Sequence, residues 1–245
     1  GIPVRVGFGR GRKDLFLTHS VPGHQIQKES ESYLDLLRKM DIPAVFKKTF
    51  YYLSDQEKDF KDLFLERHSI TGKEQVIAVA PGGGSDARSN MISRHWPVQN
   101  YIELIHRLKK DERSSRVILV GGPDDRETTN RIIQICPDCL DATDLSFGDM
   151  ASVLRRCNLF IGNDSAPHHI AASMGVPCIG IFGPTNPHQW SPPDQNSIVV
   201  IKPVECHPCL IDETFPKCSH LRCLTSVTVD DVWQQLELTL PHEKT

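Results

Sequence analysis

The 245-residue chain has no apolar run near the roughly 18 to 20 residues of a membrane-spanning helix. It has no basic excess either: 28 Lys and Arg against 31 Asp and Glu leave a formal net charge of −3. That balance argues against a nucleic-acid binder. The opening stretch "GIPVRVGFGRGRKDLF" lacks the long apolar core of a signal peptide. Two phosphate-binding signatures are missing as well. No Gly-Lys-Ser/Thr follows the glycine run at residues 82–84, and no G-x-G-x-x-G occurs. Internal repeats and low-complexity segments are absent.

What remains is ordinary globular composition, 39% apolar and 24% charged, with enough length for one large or two small domains. Eight cysteines are many for this length. With no secretory signal they are expected to be reduced thiols in a cytoplasmic protein. The chain starts at Gly1, and Val4–Phe8 already reads as a strand, so the expectation is a piece with more chain before it.

From residue 75 onward, short apolar runs alternate with amphipathic ones. Strands are predicted at Val76–Ala80, Arg116–Gly121, Asn158–Gly162, Pro177–Phe182 and Ser197–Ile201, with a weaker one at Cys139–Ala142. Helices fit near 98–110, 124–135, 147–156 and 166–174, and a last one at Val229–Leu240. Runs such as "VILVGG" and "CIGIFG" are apolar throughout, as strands covered on both faces are. This alternation predicts an α/β fold with a doubly wound parallel sheet. The first 70 residues read differently: one strand, an Arg- and Gly-rich loop and two helices. One strand and two helices close no core alone.

In such sheets, ligands bind beyond the carboxyl ends of the strands. Three loops there are unusual. "PGGGSDARSNMISRHWP" offers close backbone approach at Gly82, Gly83 and Gly84, and positive charge at Arg88, Arg94 and His95. A flexible surface loop would read the same way. In "GGPDDRETTNRI", Glu127 suits either helix capping or a sugar hydroxyl, and capping is favoured. In "GNDSAPHHIAASMGVP", Asp164 or Ser165 is expected to cap a helix whose free N–H groups suit phosphate. His168 and His169 point about 100° apart on that helix. Spacing alone does not choose between them.

Together with "FGPTNPHQWSP", these segments stand in the order and spacing of the family 9 glycosyltransferases, which the chain resembles from "GIPVRVGF" to the final helix. The resemblance implies the Rossmann-like, donor-binding half of a GT-B fold. Residues 1–66 would be the tail of an acceptor domain plus connector, 67–228 the nucleotide-sugar domain and 229–245 a return helix. It implies ADP-heptose as donor, an inner-core lipopolysaccharide sugar as acceptor, inversion at the anomeric carbon and no cofactor. A cytoplasmic place, with peripheral association at the inner face of the inner membrane, goes with that. Gly83, Gly84, Arg94, Glu127, Leu145, Asp164, Ser165, Ala166 and His169 match its donor-contacting positions. Arg94 stands where the family usually has Lys. The match selects His169 over His168. The family's general base lies in the part before this chain, so no catalytic residue is assigned within it.

"CHPCLIDETFPKCSHLRC" holds Cys206, Cys209, Cys218 and Cys223, a set compatible with tetrahedral zinc. Reduced cysteines packing a loop are the favoured reading. Two alternatives to the transferase also stand: a non-catalytic nucleotide-sugar-binding module, and a GT-B-like sugar-nucleotide epimerase.

Overall fold

Strand β3 (Val76–Ala80) alternates its side chains so regularly that the whole molecule can be laid out from it. Ile77 and Val79 enter one apolar cluster, while Val76, Ala78 and Ala80 enter another on the opposite face. The computed structural model describes residues 1–9, 11–23, 26–72, 74–83, 85–86, 89–90, 94–111, 116–209, 218 and 220–240. In chain order the elements are β1 (Val6–Gly9), a 3-10 turn (Gly11–Phe16), β2 (His19–Pro22), α1 (Glu29–Arg38), α2 (Asp55–Arg67) and β3. There follow the two-residue strands β4 (Ser85–Asp86) and β5 (Ser89–Asn90), α3 (Val98–Lys110), β6 (Arg116–Val120), a short 3-10 stretch (Pro123–Asp125), α4 (Arg126–Ile135) and β7 (Leu140–Ala142). Then come α5 (Phe147–Leu154), β8 (Leu159–Asn163), α6 (Ala166–Ser173), β9 (Cys178–Ile181), α7 (Pro187–Trp190), β10 (Ser197–Val200), α8 (Arg222–Thr225) and α9 (Val229–Thr239).

Six strands pair in parallel in the order β10-β9-β8-β3-β6-β7. The chain runs outward from β3 through β6 to β7, then crosses back to β8 on the other side and runs outward again. The order therefore reverses between β3 and β8, which makes the carboxyl ends of these strands the switch point of a doubly wound sheet. One face is covered by α3 and α9, through Tyr101, Leu104, Ile105, Val232 and Leu236. The other is covered by α2, α5 and α6, through Phe64, Val153, Leu154 and Ile170. α2 opens with a capping box, in which Ser54 and Glu57 satisfy each other's backbone N–H. It lies so close to α5 that a Cβ on Gly148 would meet the Glu57 carboxylate.

All six expected strands and all five expected helices of this region are present. The expectation of a single strand in the first 70 residues needs correction. β1 and β2 pair in parallel over four residues, and the supposed Arg- and Gly-rich loop between them winds into the 3-10 turn. β2 was missed because its four residues, His-Ser-Val-Pro, carry one apolar branched side chain and end in proline.

Candidate functional site

Asn163, the last residue of β8, is fully buried and uses its whole amide. Its Nδ2 donates to the carbonyls of Pro81 and Gly82, both at 2.9 Å. Its Oδ1 accepts from Trp96 N at 3.0 Å and from the Tyr101 hydroxyl at 2.9 Å. One side chain thus ties the loop after β3, the approach to α3 and the end of β8. The glycines of that loop are required by space: a Cβ on Gly82 would fall 1.8 Å from Asp125 Oδ1, and one on Gly83 would fall 2.3 Å from His95 Cδ2. Gly84 and Arg88 lie outside the described residues.

The loop after β8 differs from its expected capping. Ser165 occupies the N-cap of α6 in extended geometry, but no side chain caps the helix; the Ser165 hydroxyl donates to Asn163 O instead. Asp164 turns away from the helix too. Its Oδ2 accepts from the Thr185 hydroxyl at 2.6 Å, and Arg94 Nη1 lies 3.8 Å from it while donating to Asp164 O at 3.2 Å. Tertiary partners have replaced the local cap, so the first turn of α6, with Ala166 exposed at its tip, is left to other ligands. Burial raises the Asp164 pKa, against the Thr185 hydrogen bond and the nearby Arg94 and His169 charges.

The two histidines divide cleanly. His168 is wholly buried, stacked on Phe160 with ring centroids 5.6 Å apart and edge-on to Phe182. Burial pushes its pKa down to about 3, so it is neutral. Neither of its ring nitrogens has a hydrogen-bond partner among the described residues. His169 is exposed and interacts with Asp164 and Arg94; the protein around it lowers its pKa, with the Asp164 charge opposing. His95, beside Gly83, is held low by burial.

The structure therefore brings Gly83, Arg94, Asp164, Ser165, Ala166 and His169 together at the ends of β3 and β8. Glu127 and Leu145 stand further along the same edge. Glu127 is exposed in the first turn of α4 after β6, and Leu145 packs half-buried three residues past β7. Capping near Glu127 is done by Asp125, whose carboxylate accepts from Gly122 N at 2.9 Å. From β8 to β7 are three interstrand steps, on the order of 14 Å.

Sequence reasoning missed Asn163, Thr185 and Lys28. Asn163 carried a signal, a polar residue closing an apolar strand, whereas Thr185 is only one hydroxyl in a loop. Lys28, just before α1, donates to Pro187 O at 3.2 Å and to Ser191 O and Oγ at 3.0 and 2.5 Å. It fastens the N-terminal segment to the α7 loop.

Cys206 is exposed, Cys209 and Cys218 are half-buried and Cys223 is buried, all as free thiols. Burial pushes Cys209 up to about 11, with neighbouring thiols adding to it. Among the described residues no three His, Cys, Asp or Glu side chains converge on a metal position. Residues 210–217 and 219 of this segment lie outside the described set. No described helix is long and apolar enough to cross a membrane.

A family model described as glycosyltransferase family 9 (heptosyltransferase) matches residues 1–220. Lipopolysaccharide heptosyltransferase 3 of Escherichia coli is 30% identical over 187 residues, covering 74% of this chain and 52% of its own length. The chain thus spans about half the length of curated relatives such as this one. A glycosyl transferase family 9 structure from Veillonella parvula matches with a TM-score of 0.80 at 20% identity, covering 98% of this chain and 68% of that one. The ADP-heptose lps heptosyltransferase II structure of Escherichia coli matches with 0.74 at 21%, covering 98% and 70%. Both likenesses are of fold, and the fold is the Rossmann-like half of GT-B. Matched over residues 1–220 by its family model, the chain belongs to glycosyltransferase family 9.

Proposed function

We propose that this chain forms the donor-binding half of a heptosyltransferase, which moves heptose from ADP-heptose to a lipopolysaccharide core sugar with inversion. The observation that carries the reading is the convergence of Arg94, Asp164 and His169 on the uncapped start of α6, at the switch point of the sheet. The Arg94 guanidinium and the α6 N–H groups face the diphosphate and hold its growing charge as the sugar leaves. Neutral His169 donates a ring N–H to the same group. Glu127 accepts from the ribose, and Leu145 lies against the adenine. The acceptor hydroxyl is deprotonated by a base outside these 245 residues and displaces ADP in one step, which inverts the anomeric carbon. In this scheme the chain's own cations and N–H groups neutralise the diphosphate without a metal, in the cytoplasm, where both substrates are available.

Calorimetry of the chain with ADP and UDP tests the assignment. ADP is expected to bind at least several-fold more tightly, because Glu127 and Leu145 match the family's ribose and adenine positions. Equal affinities would remove the ADP-sugar reading. Because the base lies elsewhere, the chain alone is expected to bind donor without transferring heptose.

A further inference from the structure

We propose that His207 is a positioning residue that sets the Asp164 carboxylate through Thr185. Thr185 sits in the loop after β9, in a stretch that makes no ladder pairs. Two contacts from a distant part of the chain hold that backbone. His207 Nε2–H donates to Thr185 O at 3.0 Å, and Cys209 N donates to Pro184 O at 2.9 Å. On the other side, Gly183 lies against α8, where a Cβ would be 2.6 Å from Leu224 Cγ. The loop is thus gripped from both sides. The Thr185 side chain, fully buried, commits its one hydroxyl proton to Asp164 Oδ2 at 2.6 Å.

The titratable groups facing Asp164 are Arg94 and His169, with Lys28 and Asp194 around His169. None of them replaces a neutral donor fixed at 2.6 Å. A hydrogen bond to the ionised carboxylate favours ionisation and fixes which oxygen faces the cleft. His207 thus acts at one remove, by deciding where the Thr185 hydroxyl stands. The cysteine-bearing segment gains a role here that needs no metal: its Cys206–Cys209 turn carries the clamp. The consequence for donor binding rests on the reading given above; the geometry of the clamp does not.

The test uses the 245-residue chain with His207→Ala, His207→Gln and Thr185→Val, following the Asp164 carboxyl midpoint by NMR and ADP affinity by calorimetry. Glutamine keeps an N–H donor at similar reach. His207→Ala is expected to raise the Asp164 midpoint and weaken ADP binding about threefold to tenfold, the scale of one lost hydrogen bond. Thr185→Val should do more in the same direction, and His207→Gln should restore both readouts. An unchanged midpoint in His207→Ala overturns the proposal, as does a glutamine variant no better than alanine. If the unmodified chain fails to bind ADP, the donor reading falls, while the midpoints still decide the clamp.

Discussion

At the carboxyl edge of the sheet, polar side chains are buried: Asn163, Asp164, Ser165, Asp125 and Thr185 all lie within the fold. In the first 52 residues the reverse holds. Ile2, Leu15, Phe16, Ile26, Val45, Phe50 and Tyr52 are each more than half exposed, and Val21 is the one buried residue among those described there. The two regions teach different things. A buried polar group that is hydrogen-bonded, as Asn163 and Asp164 are, fixes the geometry around it. An exposed apolar side chain fixes nothing in its own chain. The sheet domain closes its own core, and the first segment touches it through Lys28 on the α7 loop and Tyr51 edge-on to Phe147.

The sharpest way to break this contrast is at Asn163. Asn163→Ala orphans two carbonyls and one buried N–H, each costing about 1 to 3 kcal/mol. A loss of roughly 3 kcal/mol or more is expected in urea unfolding, against less than about 0.5 kcal/mol for Leu15→Ser. Equal losses would mean that the two regions do not differ as described.

Next in size is the division between neighbouring histidines. With the acceptor-binding half present, His169→Ala is expected to lower donor kcat/KM by roughly ten- to a hundredfold. His168→Ala should leave it within about threefold while lowering stability by about 2 kcal/mol, since a packed ring is removed. The opposite pattern in kinetics would show that the wrong histidine has been placed at the ligand.

The smallest expected effect is with pH. His168 has its folded pKa depressed to about 3 by burial, whereas an unfolded histidine titrates near 6.5. Below 6.5 the unfolded chain therefore binds the extra proton, and stability falls as pH falls toward 3, by at most about 1.4 kcal/mol per unit. Melting curves at pH 7 and pH 5 should show this decline, and His168→Leu should flatten it. A variant with an undiminished slope would place the titrating group elsewhere.

The sheet was legible because its strands are covered on both faces, and "VIAVA", "VILV" and "CIGI" are the direct trace of that burial. The loops at its edge were legible because glycine, proline and clustered polar residues stand where each strand ends. Two things were not. The capping of α6 by Asp164 or Ser165 followed a local rule, and long-range partners, Thr185 and Arg94, overrode it. The contacts of Lys28 and His207 join residues far apart in sequence, 159 and 22 positions, and no spacing pattern records such pairs. The preference for His169 over His168 came from family resemblance alone; the structure shows His168 buried and His169 exposed.

The four hydrogen bonds of Asn163 also have a consequence for timing. The glycine loop, the start of α3 and the end of β8 cannot shift separately without breaking buried bonds, so they move, if at all, as slowly as the core opens. Beyond the Thr185 clamp, no side chain among the described residues ties the α7 loop down in this way. The α7 loop is moored to the N-terminal segment by one half-buried lysine head. A loop held in this way moves on the faster timescale of loops, over a floor that keeps its shape.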